Sequence, residues 1–267
     1  MPLLNLVLIA LIQGVTEFLP ISSSGHLALF PALSGEADQG VLIDVAVHVG
    51  TLVAVIAYFR AETAEAIRGG LHILSGRLST PEARLAMLLI YATIPVVLCG
   101  AGLAFAGLTD LLRNVEVIAW ATLAFGVVLW LADRWGGLEK PSEAWGWRDA
   151  GLMGLAQAVA LIPGTSRSGI TIAAARALGY QRVDAARLAM LMSIPTILAA
   201  GALAGLDLAA GGDAALGLDA AIAAVLSCLA ALAALAVMMR MLETWTLTPF
   251  VLYRLALGGA LLIYLYV

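Results

Sequence analysis

Six long apolar stretches constrain the fold of this chain more than any other feature of its sequence. A helix that crosses a bilayer needs about 20 predominantly apolar residues, and each stretch meets that requirement. The stretches are 41–59, 85–108, 115–133, 187–206, 217–239 and 248–267. We therefore predict an all-α polytopic membrane protein that forms a single membrane domain over residues 1–267.

The composition supports a membrane protein and argues against other classes. Hydrophobic residues make up 62% of the chain and charged residues 12%, whereas soluble domains carry about a quarter charged residues. The formal net charge is −4 and the sequence has no basic tract, so no nucleic-acid partner is expected. Cys99 and Cys228 both lie in apolar stretches, which favours free packing residues over a disulfide.

Two further apolar regions are interrupted by polar and helix-breaking residues. Region 3–30 is broken at Pro20 and the serines 22–24, and region 150–180 is broken at "PGTSRSG", residues 163–169. Non-helical backbone at membrane depth is tolerated only where it is buried in protein or lines a wet cavity. Each region is therefore predicted to form a re-entrant pair of helices that enters the membrane and turns back.

The distribution of basic residues predicts the orientation. Lysine and arginine concentrate in the connecting segments 60–84, 134–148 and 176–187, whereas the acidic segments 31–40 and 207–219 contain neither. The positive-inside rule places the basic segments, which are expected to be loops, in the cytoplasm. The alternation of sides is consistent only if both broken regions are re-entrant, and both termini then lie outside.

The two broken regions resemble each other. The segment "QGVTEFLPISSSG" at 13–25 aligns with "QAVALIPGTSRSG" at 157–169, which pairs Gly25 with Gly169. The match continues into the next span, where "GTLVAV" aligns with "PTILAA". These matches indicate an internal repeat.

Each half of this repeat contains one re-entrant element and three spans. An odd number of spans inverts the second copy relative to the first, so residues 1–135 and 150–267 are predicted to be two inverted-topology repeats. In such folds the functional site lies where the discontinuous elements meet near the middle of the membrane. The sequence therefore predicts that residues 13–27 and 157–171 face each other.

The second break has the composition of an anion site. Glycines flank the polar residues of "PGTSRSG" and an apolar helix follows, so free backbone N–H groups and the positive end of a helix dipole meet there. Arg167 adds a planar, permanently charged group that matches phosphate oxygens. Thr165, Ser166 and Ser168 add hydroxyl groups. We predict a phosphate site; the alternative, that Arg167 pairs with Glu17, is compatible with it.

The first break contains groups that can react. Glu17 lies one helical turn after Gln13 and could bind a divalent cation, act as a general base or orient His26. A serine of the group Ser22–Ser24 or His26 could attack phosphorus, and His26 could instead protonate a leaving group. The serines could alternatively cap the helix that follows. In the next span, His48 lies one turn after an aspartate and is a further candidate.

The motifs "TEFLPISSSGH" at 16–26 and "PGTSRSG" at 163–169 resemble those of the BacA-type undecaprenyl-diphosphate phosphatase family of bacterial inner membranes. Their order, their separation and the number of spans agree with that family over essentially the whole chain. The resemblance implies a metal-dependent hydrolase that removes the terminal phosphate of undecaprenyl diphosphate, with its site facing the periplasm. The product, undecaprenyl phosphate, is the carrier lipid for cell-wall synthesis, and the family affects bacitracin sensitivity.

The resemblance also implies roles for single residues. Glu17, Ser23, His26 and Arg167 are the expected catalytic residues, with the nucleophile left open, and Glu17 is the expected ligand of Mg²⁺ or Ca²⁺. A larger set of residues around these four is expected to bind substrate. They are Gln13, Ser22, Ser24, Gly25, His48, Thr165, Ser166, Ser168, Gly169 and Thr171.

Gln13 is a departure from the family pattern. Many members have two glutamates one turn apart in this motif, and Gln13 stands in the place of the first. Glutamine can coordinate a cation or form hydrogen bonds, but it cannot accept a proton, so we expect weaker metal binding. His48 lies near a position where many members have a glutamine. Our hypothesis is that His48 compensates for the carboxylate that is missing at position 13.

A second class of function fits the same features. Inverted repeats with broken helices are also a transporter architecture, so a flippase of undecaprenyl phosphate could use Arg167 to hold phosphate without cleaving it. The group formed by Glu17, His26 and the serines favours the hydrolase, because binding alone needs no base. A long-chain isoprenoid diphosphate and membrane lipid are the expected partners, and the sequence leaves a homodimer open.

Overall fold

The structure is a computed structural model that describes residues 2–35, 39–108, 112, 114–137, 139–211 and 217–267. Within these ranges the chain forms α-helices and one short 3₁₀ turn, Ser142–Ala144, and no β-strand. The helices are α1 (Leu3–Thr16), α2 (Ser23–Ser34), α3 (Gly40–Tyr58), α4 (Arg60–Leu74), α5 (Pro81–Phe105), α6 (Val115–Trp135), α7 (Trp147–Val159), α8 (Arg167–Ala177), α9 (Arg182–Gly211), α10 (Gly217–Leu242) and α11 (Thr248–Tyr266).

Six of the described helices are long and apolar enough to cross a membrane: α3, α5, α6, the part Arg182–Ala202 of α9, α10 and α11. They coincide with the six predicted spans, which confirms an all-helical, multi-pass membrane architecture. Helix α5 begins before its apolar stretch for two local reasons. Thr80 caps the helix by accepting a hydrogen bond from the amide of Ala83 at 3.1 Å, and Pro81 occupies the first helical position.

Both predicted helix breaks are present. Helix α1 ends at Thr16 and α2 begins at Ser23, so the backbone around Pro20 is not helical. Proline has no amide hydrogen and disfavours helical geometry in the residue before it, which accounts for this stop. Helix α7 ends at Val159 and α8 begins at Arg167, which places the second break over most of "PGTSRSG".

The prediction of a loop over the basic segment 60–84 is wrong for most of its length, because α4 occupies it. The helix is amphipathic, with charged residues on one side and Ile67 and Leu71 exposed on another. It packs closely against α5: a Cβ on Gly69 would lie 1.9 Å from the carbonyl oxygen of Glu82. The apolar residues of α4 are spaced along one side of the helix and are not consecutive, so the segment does not read as a membrane span.

Small residues bring the membrane helices close together. A Cβ on Gly50 would lie 2.2 Å from the carbonyl oxygen of Ala224, and a Cβ on Gly14 would lie 2.5 Å from that of Ser227. Helix α10 therefore packs directly against α3 and α1, and Ser227 Oγ donates to the carbonyl oxygen of Val47 at 2.9 Å. This close packing holds one side of α1, and with it the start of the first break, against the bundle.

The three basic segments meet at one end of the bundle, which we call the basic end. Arg187 Nε lies 3.8 Å from Glu62 Oε1, and Lys140 and Tyr180 form a backbone bridge. Both of the latter side chains also bind the carboxylate of Asp149. Residues 36–38 and 212–216, which supplied Glu36, Asp38 and Asp213 to the orientation argument, lie outside the described residues.

Candidate functional site

The two helix breaks meet, as the sequence predicted. Arg167, the first residue of α8, donates from Nη2 to Oε1 of Glu17 at 2.5 Å. Ser168 Oγ donates to the carbonyl oxygen of Leu19 at 2.9 Å. The ion pair that the sequence offered as an alternative for Arg167 is therefore present, and it joins the two breaks directly.

The two breaks share an unusual backbone geometry. Ser22 and Ser166 have φ angles of 76° and 71°, and no other described residue except glycine has a positive φ. Each serine hydroxyl caps the helix that follows: Ser22 accepts from the amide of Gly25 at 3.3 Å, and Ser166 accepts from that of Gly169 at 3.1 Å. The capping alternative for the first break is thus correct for Ser22, and Ser166 caps its helix in the same way. Left-handed backbone at non-glycine residues concentrates at functional sites.

Glu17 lies at the centre of a hydrogen-bonded cluster. Its Oε2 accepts from Ser23 Oγ at 2.5 Å and from Gln13 Nε2 at 2.9 Å, while Oε1 accepts from Arg167. Glu17 is 7% exposed, Ser23 is half-buried and Ser24 is exposed. A hydroxyl that donates to a carboxylate is the arrangement in which a base removes the proton from an attacking oxygen.

His26 is held by groups other than Glu17, so the alternative in which Glu17 orients His26 is wrong. Nδ1 of His26 lies 2.7 Å from the carbonyl oxygen of Ser22, and Nε2 lies 2.5 Å from the hydroxyl of Tyr253. The rings of His26 and Tyr253 also stack, with centroids 5.7 Å apart and planes 15° apart. A carbonyl oxygen can only accept, so Nδ1 carries a hydrogen, and Nε2, which contacts the hydroxyl of Tyr253, is the nitrogen at which the ring can gain or lose a proton.

Arg254 joins the two breaks, and the sequence analysis missed it. The residue is fully buried and donates to four backbone carbonyls. Two belong to the breaks: Pro20 accepts from Nη1 at 3.2 Å and Gly164 accepts from Nη2 at 2.9 Å. The other two, of Ala121 and Thr122, belong to α6. An arginine inside an otherwise apolar span was the available signal, since such charges are costly in a membrane.

The remaining predicted residues surround this cluster. Thr171 Oγ1 donates to the carbonyl oxygen of Arg167 at 2.7 Å. Thr165 is fully buried, and its hydroxyl has no hydrogen-bond partner among the described residues. His48 lies on α3 with Nδ1 2.7 Å from the carbonyl oxygen four residues earlier. It lies outside the hydrogen-bonded cluster around Glu17.

Few protein oxygens near Glu17 can bind a divalent cation. The described residues contain no group of three or more His, Cys, Asp or Glu side chains suited to a metal. Gln13 Oε1, however, is buried and has no hydrogen-bond partner among the described residues, while Nε2 of the same amide donates to Glu17. Mg²⁺ is commonly held by one or two carboxylates together with substrate phosphates. The residues therefore fit a cation that binds together with a phosphorylated substrate.

Related proteins match the chain over nearly its whole length. The sequence model of the family described as "Bacitracin resistance protein BacA" matches residues 6–260. A protein from Ruegeria pomeroyi named undecaprenyl-diphosphatase is 59% identical over 262 residues, which cover 98% of both chains. Proteins of the same name from Dinoroseobacter shibae and Nitrosococcus oceani are 58% and 47% identical, and each match covers 100% of both chains. Both breaks lie within all of these matches.

Proposed function

The chain belongs to the BacA family, and on this premise we propose that it is an undecaprenyl-diphosphatase. It hydrolyses a phosphoric anhydride, converting undecaprenyl diphosphate into undecaprenyl phosphate and inorganic phosphate. The contact of Ser23 and Arg167 with the two oxygens of Glu17 is the observation that carries this proposal. It unites a nucleophile, a base and a cation for phosphate at the meeting point of the two breaks.

Ser23 is the proposed nucleophile. Its Oγ attacks the terminal phosphorus while Glu17, to which it donates at 2.5 Å, accepts its proton. The bond between that phosphorus and the bridging oxygen breaks, and undecaprenyl phosphate leaves. Water then attacks the phosphoserine, which releases inorganic phosphate and restores the serine. The neighbouring Ser24 instead lies 3.4 Å from the hydroxyl of Ser22, which favours Ser23 over Ser24.

Arg167 is proposed to neutralise charge on the transferred phosphoryl group. Its guanidinium is fixed on two sides, by Glu17 and by the carbonyl oxygen of Ser193 at 3.2 Å. Arg167 is also the first residue of α8, so the positive end of that helix lies at the same place. Donors that are fixed before the reaction stabilise developing negative charge without reorganisation.

His26 is proposed to protonate the bridging oxygen of the leaving group. The carbonyl of Ser22 holds Nδ1, so proton exchange takes place at Nε2. The hydroxyl of Tyr253, 2.5 Å from Nε2, keeps the ring in one orientation. His26 is half-buried, so part of the residue remains exposed.

We further propose that Glu17 and Oε1 of Gln13 hold a divalent cation, Mg²⁺ or Ca²⁺, together with substrate oxygens. When bound, the cation supplies positive charge against the diphosphate. The buried, unpartnered Oε1 of Gln13 supports this assignment. A glutamine provides less charge than a glutamate, so the affinity depends on the substrate phosphates.

The inverted repeat and the placement in the inner membrane also belong to this proposal. The matching φ angles and caps of Ser22 and Ser166 support two related halves, 1–135 and 150–267. With the basic end in the cytoplasm, Ser24 and His26 are reached from the periplasmic side. An apolar groove of about 400 Å³, lined by residues of α6 and by Ile162 of the second break, supports a path for the isoprenoid chain.

Phosphate release from a long-chain prenyl diphosphate by the purified protein tests the function. We expect release with Mg²⁺ or Ca²⁺, its loss with EDTA, and its loss in Arg167→Ala protein that is still folded. No release under any metal condition, combined with movement of undecaprenyl phosphate across vesicle membranes, would favour the flippase alternative.

A further inference from the structure

A separate cavity lies at the basic end of the bundle. It has a volume of about 510 Å³, lies between α4, α5, α9 and the 3₁₀ turn, and shares no lining residue with the site described above. Its walls contain charges of both signs: Arg84 and Arg187 are positive, and Glu62, Glu65 and Glu143 are negative. The proposed hydrolysis uses none of these groups.

Two donors of the cavity wall make no hydrogen bond within the part of the chain that the structure describes. Trp145 is 2% exposed, and its indole N–H has no hydrogen-bond partner among the described residues. Nε of Arg187 is also buried and makes no hydrogen bond to a described residue, since Oε1 of Glu62, its ion-pair partner, lies 3.8 Å away, beyond hydrogen-bond distance. Unpaired buried donors are rare and cost stability, so they point to a ligand with acceptor oxygens.

An apolar groove continues from the cavity along the membrane helices. It has a volume of about 190 Å³ and lies between α4, α5 and α9. Leu191 lines both spaces, and the groove extends along α9 to Leu198. Ile67 and Ile90 of the groove are 61% and 55% exposed, so it is open on one side. A cavity with charged residues in its wall that leads into an open apolar groove fits an amphiphile with its head group at the basic end.

We propose that this cavity and groove bind a membrane phospholipid with a phosphoethanolamine head group. The phosphate oxygens accept hydrogen bonds from Trp145, Arg84 and Arg187, and the primary ammonium group donates to carboxylates such as Glu62 and Glu65. The wall has two arginines and three glutamates, and therefore a net negative charge. A purely anionic head group is repelled there, whereas a zwitterion meets both signs of charge.

Thermal stabilisation of the purified full-length protein tests this binding. The protein is titrated with dioctanoyl phosphatidylethanolamine, and with the choline and glycerol lipids that have the same chains. We expect a saturable rise in Tm with the ethanolamine lipid and about tenfold weaker binding of the other two, because choline lacks N–H donors and glycerol lacks a cation. Equal binding of all three, or tighter binding of the glycerol lipid, would overturn the proposal.

Three variants localise the effect. Trp145→Phe keeps an aromatic ring without the N–H, and Arg84→Gln removes an exposed charge. Each substitution should weaken binding of the ethanolamine lipid about tenfold, which corresponds to the loss of one charge-assisted hydrogen bond. Arg68→Gln, exposed on α4 and outside the cavity, is the matched control and should bind as the wild type. Phosphate release in detergent should be unchanged in all three. Wild-type lipid binding by Arg84→Gln contradicts the site even if Trp145→Phe does not fold.

Discussion

Arg254→Met tests whether one buried side chain holds the two helix breaks in position. Arg254 donates to two carbonyls of the breaks and to two of α6, and it has no ion pair among the described residues. Methionine is unbranched, flexible and apolar, so it fills much of the same space without any donor. The substitution therefore removes the hydrogen bonds and the charge while leaving little empty volume.

The magnitude follows from the individual bonds. Gly164, Thr122 and Pro20 accept at 2.9, 3.1 and 3.2 Å, whereas the bond to Ala121 is long at 3.4 Å. The carbonyl of Thr122 lies inside α6 and keeps its intrahelical bond, so the main loss is at Pro20 and Gly164, which lie outside helices. Each buried acceptor that loses its partner costs about 1–3 kcal/mol, so two cost about 2–6 kcal/mol. Removal of a buried charge offsets part of this. We expect a net loss of about 1–3 kcal/mol, which lowers Tm by about 2–12 °C in a chain of this size.

The assay combines thermal unfolding of the purified protein with phosphate release at a temperature where both proteins are folded. Turnover should fall at least about tenfold, because Pro20 and Gly164 no longer fix the breaks that position Ser23 and Arg167. Arg240→Met, at an exposed position of α10, is the matched control and should change stability by no more than about 0.5 kcal/mol. A variant at position 254 with wild-type Tm and wild-type turnover would refute the reasoning.

Three further predictions concern the cluster around Glu17 and the basic end. Ser23→Ala should reduce phosphate release at least about a thousandfold. Ser24→Ala removes no contact to Glu17 and should leave the rate within about threefold of wild type. Equal losses in the two variants would contradict Ser23 as nucleophile. Gln13→Glu places a second carboxylate against Glu17, where like charges repel by about 4 kcal/mol at 4 Å. A cation relieves that repulsion, so the Mg²⁺ concentration for half-maximal activity should fall about tenfold, and an unchanged metal dependence would argue against a cation at Gln13. Burial raises the pKa of Asp149, but hydrogen bonds from a lysine and a tyrosine, with the lysine charge, bring it below its usual range. The depressed pKa stabilises the fold above the pKa of the unfolded state, and this stability is lost as the pH falls through the folded pKa. Wild type should therefore lose Tm more steeply than Asp149→Asn below about pH 4, and parallel profiles would exclude this contribution.

The reactive groups of the site were predictable to the extent that they lie in local motifs. Glu17 and Arg167 were identified because polar groups at membrane depth are costly and because the two breaks repeat, whereas Ser23 was singled out from its neighbouring serines only by the family resemblance. The contacts between these residues were harder to predict. The sequence left open whether Glu17 acts as a base or orients His26. The hydroxyl of Tyr253, 227 residues away along the chain, occupies His26 and resolves the choice. No local pattern connects those two positions.

The spans and breaks were determined by the sequence alone, because bilayer thickness and the cost of exposed backbone act on consecutive residues. Helix α4 was not predicted, because its apolar residues Ile67 and Leu71 are not consecutive and lie on an exposed side, while its close contact with α5 is made by Gly69. The tertiary structure alone decided that Arg254 ties Pro20 to Gly164, and that a mixed-charge cavity forms at the basic end. These features arise where helices distant in the chain converge. The contribution of a buried donor to the free energy of folding therefore depends on which carbonyl groups the packing of the helices places within hydrogen-bond distance.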